Sequence, residues 1–186
     1  MIKRSLVLLL SILCIIMIGC NTINNEKENP IIISKDDNDD SLEMGVNYKI
    51  SNLKKDEYNI EIYAKEYNLG ELKKEYSLFE DKVKIEDNKI LSVGVYEEDN
   101  ELFSGINGDF ISNNRFEFFN KLNDRGVSMS ILDMEKELEL NKEIPICAYS
   151  VGKENGYTTS IYLSEDSELG SNENDLLIYL KINKVS

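Results

Sequence analysis

Tyr58-Asn59-Ile60-Glu61-Ile62-Tyr63-Ala64 alternates residue by residue: Tyr58, Ile60, Ile62 and Ala64 share one face, and Asn59, Glu61 and Tyr63 take the other. A period of two is the signature of a strand, because successive Cβ atoms leave a pleated backbone on opposite sides. Asn68-Leu69-Gly70-Glu71 then supplies turn chemistry, and Leu72 to Phe79 reads as the return strand of a hairpin. Leu72, Tyr76 and Phe79 are also spaced as a helical stripe, so a helix from Leu69 to Phe79 is the competing reading.

The pattern continues outward. Val83 and Ile85 alternate with charges, Asp87-Asn88 marks a turn, and Leu91, Val93 and Val95 keep register before a turn at Glu97 to Asn100. Gly105-Ile106-Asn107-Gly108-Asp109 reads as a loop, and Ser112-Asn113-Asn114 as a break. Phe116, Phe118 and Phe119 are assigned to a strand. Val127, Met129 and Ile131 alternate, as do Leu138 and Leu140, although Asp133 to Leu140 also suits a helix. Ile144, Ile146 and Ala148 are expected on one face. Tyr157 to Leu163 has strand composition, and Glu165 to Asp175 forms an acidic loop. In the last segment Leu176, Ile178, Leu180 and Ile182 face one way, and Leu177, Tyr179 and Lys181 the other.

Short strands with turns about every 8 to 12 residues predict an all-β fold, a β-sandwich or open barrel of antiparallel strands. An α+β fold with one or two short helices is the alternative. Lys and Glu on the exterior positions would keep edge strands from pairing with neighbouring molecules.

The N-terminus has a different character. Lys3 and Arg4 precede a charge-free apolar run from Ser5 to Ile18. That run is shorter than the roughly 20 residues a helix needs to cross a bilayer, and it matches the build of a signal peptide. It closes on Met17-Ile18-Gly19-Cys20. This tetrad resembles the lipobox of bacterial lipoproteins, with Met17 in place of the more usual Leu. The resemblance covers the first 20 residues alone. It implies cleavage between Gly19 and Cys20, lipidation of the Cys20 thiol, and attachment to the outer face of a cell membrane. The expected organisation is a signal peptide over 1–19, a lipidated, flexible acidic tether over 20–43, and one β-rich extracytoplasmic domain over 44–186. Ile31-Ile32-Ile33 stands out in that tether, either as a short strand added to the domain or as an apolar spot in a linker.

Cleavage would leave 167 of the 186 residues, enough for one domain with a real core. Loss of Lys3 and Arg4 would move the formal net charge from −14 to −16. Nucleic-acid affinity rests on neutralising phosphates, so this balance excludes nucleic acid as an expected partner. It also disfavours flat adsorption on anionic lipid, so the membrane is expected as a partner only through the lipid anchor.

The chain has no histidine, and Cys147 is the one cysteine after Cys20. Most zinc sites and the Ser-His-Asp and Cys-His schemes are thereby removed. Cys147 reads as a small buried strand residue, since a nucleophile wants a nearby base. No cofactor and no catalytic residue is assigned. Asp36, Asn38 and Asp40 have the spacing of the first EF-hand ligands, but Ser41 stands where glycine is needed and Asn47 where the bidentate glutamate belongs. Glu165, Asp166, Glu168, Glu173 and Asp175, with Asn172 and Asn174, form a second acidic group. Both read as solvated acids, with weak calcium binding as the alternative. Tyr63, Tyr96, Tyr149, Tyr157 and Tyr179 read as core-edge residues or, alternatively, as a ligand-binding face.

Three functions are compatible with these features. The first is a binding module of the cell envelope, with an envelope protein or glycan as partner. The second is an envelope-polymer hydrolase using carboxylates, which requires two converging acids in a cleft. The third is an assembly accessory that pairs through a strand edge.

Overall fold

The computed structural model describes residues 29–37, 44–86, 90–115, 117–120, 127–153, 157–164 and 169–185. The apolar N-terminal run, Gly19, Cys20, Asn38 to Asp40 and Glu165 to Glu168 lie outside them. Among the described residues no helix is long and apolar enough to cross a membrane.

The chain folds into two antiparallel sheets that do not close into a barrel, a β-sandwich. The strands are β1 (Ile32–Lys35), β2 (Gly45–Ser51), β3 (Asp56–Asn68), β4 (Glu71–Ile85), β5 (Leu91–Glu98), β6 (Glu101–Ile106) and β7 (Asp109–Arg115). After a single helical turn, α1 (Glu117–Asn120), come β8 (Val127–Ile131), β9 (Lys136–Glu137), β10 (Glu143–Val151) and β11 (Asn174–Lys184). One sheet has the order β7-β6-β5-β2-β1-β9, the other β4-β3-β11-β10-β8.

Local chemistry explains the hairpins. Leu69-Gly70, Asp99-Asn100 and Asn107-Gly108 each join two strands, and both residues of each pair have positive φ. That is the two-residue turn whose twist matches paired strands, and Asn and Gly adopt it at low cost. The expected loop at Gly105 to Asp109 is therefore a tight hairpin turn. Backbone fits closely there: a Cβ on Gly105 would lie 2.0 Å from the Asp109 carbonyl oxygen.

The core lies between the sheets. Tyr58, Ile60, Ile62 and Ala64 of β3 face inward beside Ile178, Leu180 and Ile182 of β11, as the alternation required. Tyr48 and Ile50 of β2 and Leu91, Val93 and Val95 of β5 meet them from the other sheet, all fully buried. Each such aliphatic side chain contributes about 1.5–3 kcal/mol of burial free energy.

Several expectations are corrected. The helix considered over Leu69 to Phe79 does not form: Leu69 and Gly70 make the turn, and Leu72 to Phe79 is, as the hairpin reading expected, part of the return strand β4, whose pairing with β3 along its 15 residues outweighs the helical spacing. The helix considered over Asp133 to Leu140 gives way to the two-residue β9, with the Leu138 N–H donating to the Ile31 carbonyl. Phe118 and Phe119, assigned to a strand, sit in α1 and are buried, with the Phe119 ring edge-on to Tyr149. Tyr157 to Leu163 is not a strand. It crosses the outer face of the five-stranded sheet as an irregular strap. Asn172 holds it by bonding both the N–H and the carbonyl of Thr159, and the Ile161 N–H donates to Ser130. That strap buries Ala148 and Leu177, which point away from the core.

Part of the segment expected as tether belongs to the six-stranded sheet. β1 pairs with β2 and β9, Ile33 is fully buried opposite Ile50, and the Asn52 amide donates to the Pro30 carbonyl. The strand reading of Ile31 to Ile33 is the one realised. Three isoleucines gain more from covering the sheet than from water.

Ile144, Ile146 and Ala148 do not share a face. A β-bulge between Pro145 and Cys147 advances the phase, so that Glu143 and Pro145 point outward while Cys147, Tyr149 and Val151 point to the core. The bulge leaves Ile146 out of the ladder with β11, and its carbonyl accepts from the buried Tyr48 hydroxyl of the opposite sheet. That hydroxyl in turn accepts from the Leu132 N–H at 2.9 Å. Tyr48→Phe should cost about 0.5–1.5 kcal/mol, the net worth of a hydrogen bond, because the Leu132 N–H and the Ile146 carbonyl still bond to each other when the hydroxyl is gone. The measurement is a denaturant midpoint that falls at unchanged slope. An unaltered midpoint would show the bridge contributes nothing.

Candidate functional site

The outward phase of the bulge matters because of what stands beside it. Directly paired residues share a face of a sheet. Register therefore sets Glu143, Lys181, Glu61 and Glu80 in one row across the outer face of the five-stranded sheet. The next row is Pro145, Tyr179, Tyr63 and Ser77, and the one after it Ala148, Leu177, Lys65 and Glu75. A second irregularity, at Leu78 of β4, opens the surface next to Tyr63. The result is a shallow cleft of about 420 Å³, floored in part by Ile62, Tyr76 and Phe79.

Its centre is a compact polar cluster. The Tyr63 and Tyr179 rings stack with centroids 5.5 Å apart and planes 14° from parallel. The Lys65 ammonium lies 4.6 Å from the Tyr179 centroid and 5.5 Å from that of Tyr63, within cation–π range. Lys65 also pairs with Glu143 at 2.8 Å, and the Tyr63 hydroxyl donates to the other oxygen of that carboxylate. Tyr67 lies near enough to Tyr179 to act on its hydroxyl.

Protonation follows from these contacts. Burial pushes the Tyr63 phenol up, and its bond to the Glu143 carboxylate pushes it further. Burial and the neighbouring Tyr67 do the same to Tyr179. Both rings therefore stay neutral and electron-rich at any physiological pH. Burial works to raise the Glu143 carboxyl, but hydrogen bonds from Lys65 and Tyr63 and the charges of Lys65 and Lys181 outweigh it. Glu143 thus sits below the ordinary glutamate value as a carboxylate.

The other candidate residues are dispersed. Tyr96 stacks on Phe103 at 4.7 Å, on the outer face of the other sheet. Tyr149 is buried in the core with its hydroxyl donating to the Met44 carbonyl, and Tyr157 is almost fully exposed on the strap. Of the five tyrosines, only Tyr63 and Tyr179 come together.

Of the first acidic group, Asp36 pairs with Lys49 at 2.7 Å and Asn47 lies in β2, while Asn38 and Asp40 fall outside the described residues. In the second, Asp175 is buried and accepts from Asn172 at 2.8 Å, and Asn174 accepts from Asn68. These groups anchor the strap and the β3–β4 turn. Glu165, Asp166 and Glu168 lie outside the described residues. Among the described residues no three acidic or cysteine side chains are grouped to hold a metal ion.

Cys147 is fully buried, and burial pushes its thiol up to about 12, with a Tyr149 hydrogen bond partly opposing. It is a protonated core side chain at neutral pH. Sequence reasoning overlooked Lys65, Glu75 and Glu143 as site residues. The alternation of β3 puts Lys65 on the face of Tyr63, but Glu143 joins them only through pairing and the bulge.

Compared with known protein families, curated proteins and solved structures, the chain gives no match.

Because the folded Glu143 carboxyl titrates below its unfolded value, its contribution is present above that unfolded value and lost as pH falls through the folded one. Glu143→Gln should therefore lower stability at neutral pH, with the difference from wild type vanishing in acid. The side chain is 45% exposed, so the effect should not exceed about 1 kcal/mol. Melting curves across pH test this; a difference that grows in acid would contradict it.

Proposed function

We propose that the protein is a lipid-anchored, extracytoplasmic binding module of the cell envelope, and that its ligand face is the cleft around Tyr63, Tyr179, Lys65 and Glu143. The observation that carries this reading is the clustering itself. Two aromatic rings and a charged pair, from three strands, converge at one shallow depression on the sheet face. Concave sites with a few convergent polar groups are where ligands bind. A larger depression, of about 570 Å³, lies between β4 and the β6–β7 hairpin, lined by Phe79, Lys82, Lys84, Asp109 and Phe110.

The cleft is better suited to binding than to carboxylate hydrolysis. A general acid needs a raised pKa, whereas Glu143 is held as a carboxylate by Lys65 and Tyr63. Pairing through a strand edge has less support. β4, the edge beside the cleft, carries Lys73, Lys74, Lys82 and Lys84, which discourage a further strand.

The anchor rests on Cys20 and the apolar run before it. Two or three acyl chains hold a protein where one does not, since each buried methylene contributes about 0.8 kcal/mol. Pro30 and β1 then begin the folded domain within some ten residues of the lipid. A span that short would hold the domain close to the membrane, at the height of other envelope components.

Two measurements test the proposal. Cys20→Ser should abolish incorporation of a labelled fatty acid and release the protein from the membrane fraction; an unlabelled wild-type chain would refute the anchor. A photo-crosslinking residue at Ser77, in the cleft, should capture an envelope component, and the double variant Tyr63→Ala, Lys65→Ala should lose it. Equal capture from a control position at Glu98 would refute the assignment of the face.

A further inference from the structure

Each sheet of the sandwich ends in two edge strands, and most of these edges are guarded by charge. β4 carries Lys73, Lys74, Lys82 and Lys84, the two-residue β9 is Lys136 and Glu137, and β7 begins at Asp109 and ends at Arg115. β8 lies at the opposite edge of the five-stranded sheet from β4 and has no such guard. Its residues are Val127-Ser128-Met129-Ser130-Ile131, without a charge or a proline, and its pairing with β10 runs without a bulge. An uncharged, regular edge is a template for a further strand.

Register shows which backbone groups that edge offers. The Leu132 N–H donates to the Ile146 carbonyl of β10, so Leu132, Ser130 and Ser128 turn their backbone groups toward β10. Val127, Met129 and Ile131 alternate with them and turn theirs the other way, where no described residue hydrogen-bonds to them. Side chains alternate too. Met129 pairs with the core residue Tyr149, so Val127, Met129 and Ile131 take the core side, and all three remain only partly buried. Ser128 and Ser130 take the outer side, with Ser150 and Ala148.

Val-Ser-Met-Ser-Ile has the same pattern in both directions, apolar and hydroxyl residues alternating about Met129. We propose that β8 is a self-pairing edge whose partner is a second copy of this chain, joined antiparallel across a two-fold axis at Met129. Met129 of one copy then faces Met129 of the other, Val127 faces Ile131, and Ser128 faces Ser130. Every outward N–H and carbonyl of Val127, Met129 and Ile131 meets one from the other copy, and apolar side chains meet apolar ones on the core side. A slip of one residue would set Ser128 against Met129 and mix the two faces. Charge selects the same place. At a net charge of −14 two copies repel over most of their surface, and β8 is the edge strand without a charged residue. Asp133, the first acid after it, falls at opposite ends of the paired strands in the two copies. The two five-stranded sheets become one. Because the axis runs along the sheet normal, both clefts open in the same direction.

The test is sedimentation of the full-length chain in density-matched detergent, with backbone amide hydrogen exchange on the same samples. The expected result is a two-chain particle that dissociates on dilution, its Val127, Met129 and Ile131 amides protected in the dimer and exchanging quickly in the single chain. Met129→Lys sets two ammonium groups against each other at the axis and should raise the dissociation constant about tenfold or more. Val127→Pro removes an outward N–H at the first residue of an edge strand, where proline leaves the fold's own ladder intact, and should weaken the dimer likewise. Ile111→Lys, at an exposed apolar residue of the edge strand β7, should leave it unchanged. A single chain at all concentrations overturns the proposal. Fast exchange of the three amides would then mean a bare edge, and slow exchange an edge covered by the chain's own residues. A dimer that survives both β8 variants, or that Ile111→Lys dissociates, is joined elsewhere and overturns it too. Should both β8 variants fail to fold, exchange in the wild type decides: protection that does not change on dilution overturns the proposal. Capture from Ser77 does not depend on β8, so the reading of the cleft stands or falls separately.

Discussion

Burying a tyrosine hydroxyl between two apolar sheets is allowed only if that hydroxyl finds partners, and much of this architecture follows from how Tyr48 finds them. Its ring fills the space between β2 and the opposite sheet, and its oxygen reaches backbone groups that the ladder does not use. The Ile146 carbonyl is available because the bulge in β10 leaves that residue out of register with β11. One polar contact thus ties the two sheets at a defined place, which an apolar contact cannot do, since dispersion and burial have no direction.

The same bulge connects the core to the surface. Without it, Glu143 and Cys147 would lie on one face of the sheet. With it, Cys147 fills the core beside Tyr149, and Glu143 emerges next to Tyr63 and Lys65. Packing and the candidate site are therefore two consequences of one extra residue. The strap from Tyr157 to Leu163 divides the outer face. It covers Ala148 and Leu177 at the β10 end, and leaves the tyrosine pair open toward β4. A sheet that reads as two-sided in composition is so for a local reason: part of its outer face is covered by its own chain.

Charge gathers on the part left open. Carboxylates outnumber lysines among the lining residues, and the one ammonium that is fully engaged shows how the rings and Glu143 receive a cation. The Lys-rich β4 edge keeps the sheet from extending on that side, so the cleft presents a face rather than an edge to whatever approaches.

The sequence by itself determined the class of fold and most of its strands. Period-two alternation at Tyr58 to Ala64 and at Leu176 to Ile182 is a local property that survives into the structure. It also carries the lipobox resemblance and the missing histidines, which need no folding to be read. The tertiary structure alone decided that Ile31 to Ile33 enters a sheet, that Tyr157 to Leu163 lies across one as a strap, and that Leu72 to Phe79 is strand and not helix. It alone brought Glu143 to Lys65, 78 residues away, and chose Tyr63 and Tyr179 from five similar tyrosines. The reason is that alternation reports which side of its own strand a residue takes. Which strands are neighbours, and where a bulge reverses the sides, is set by pairing between distant segments and leaves no local mark.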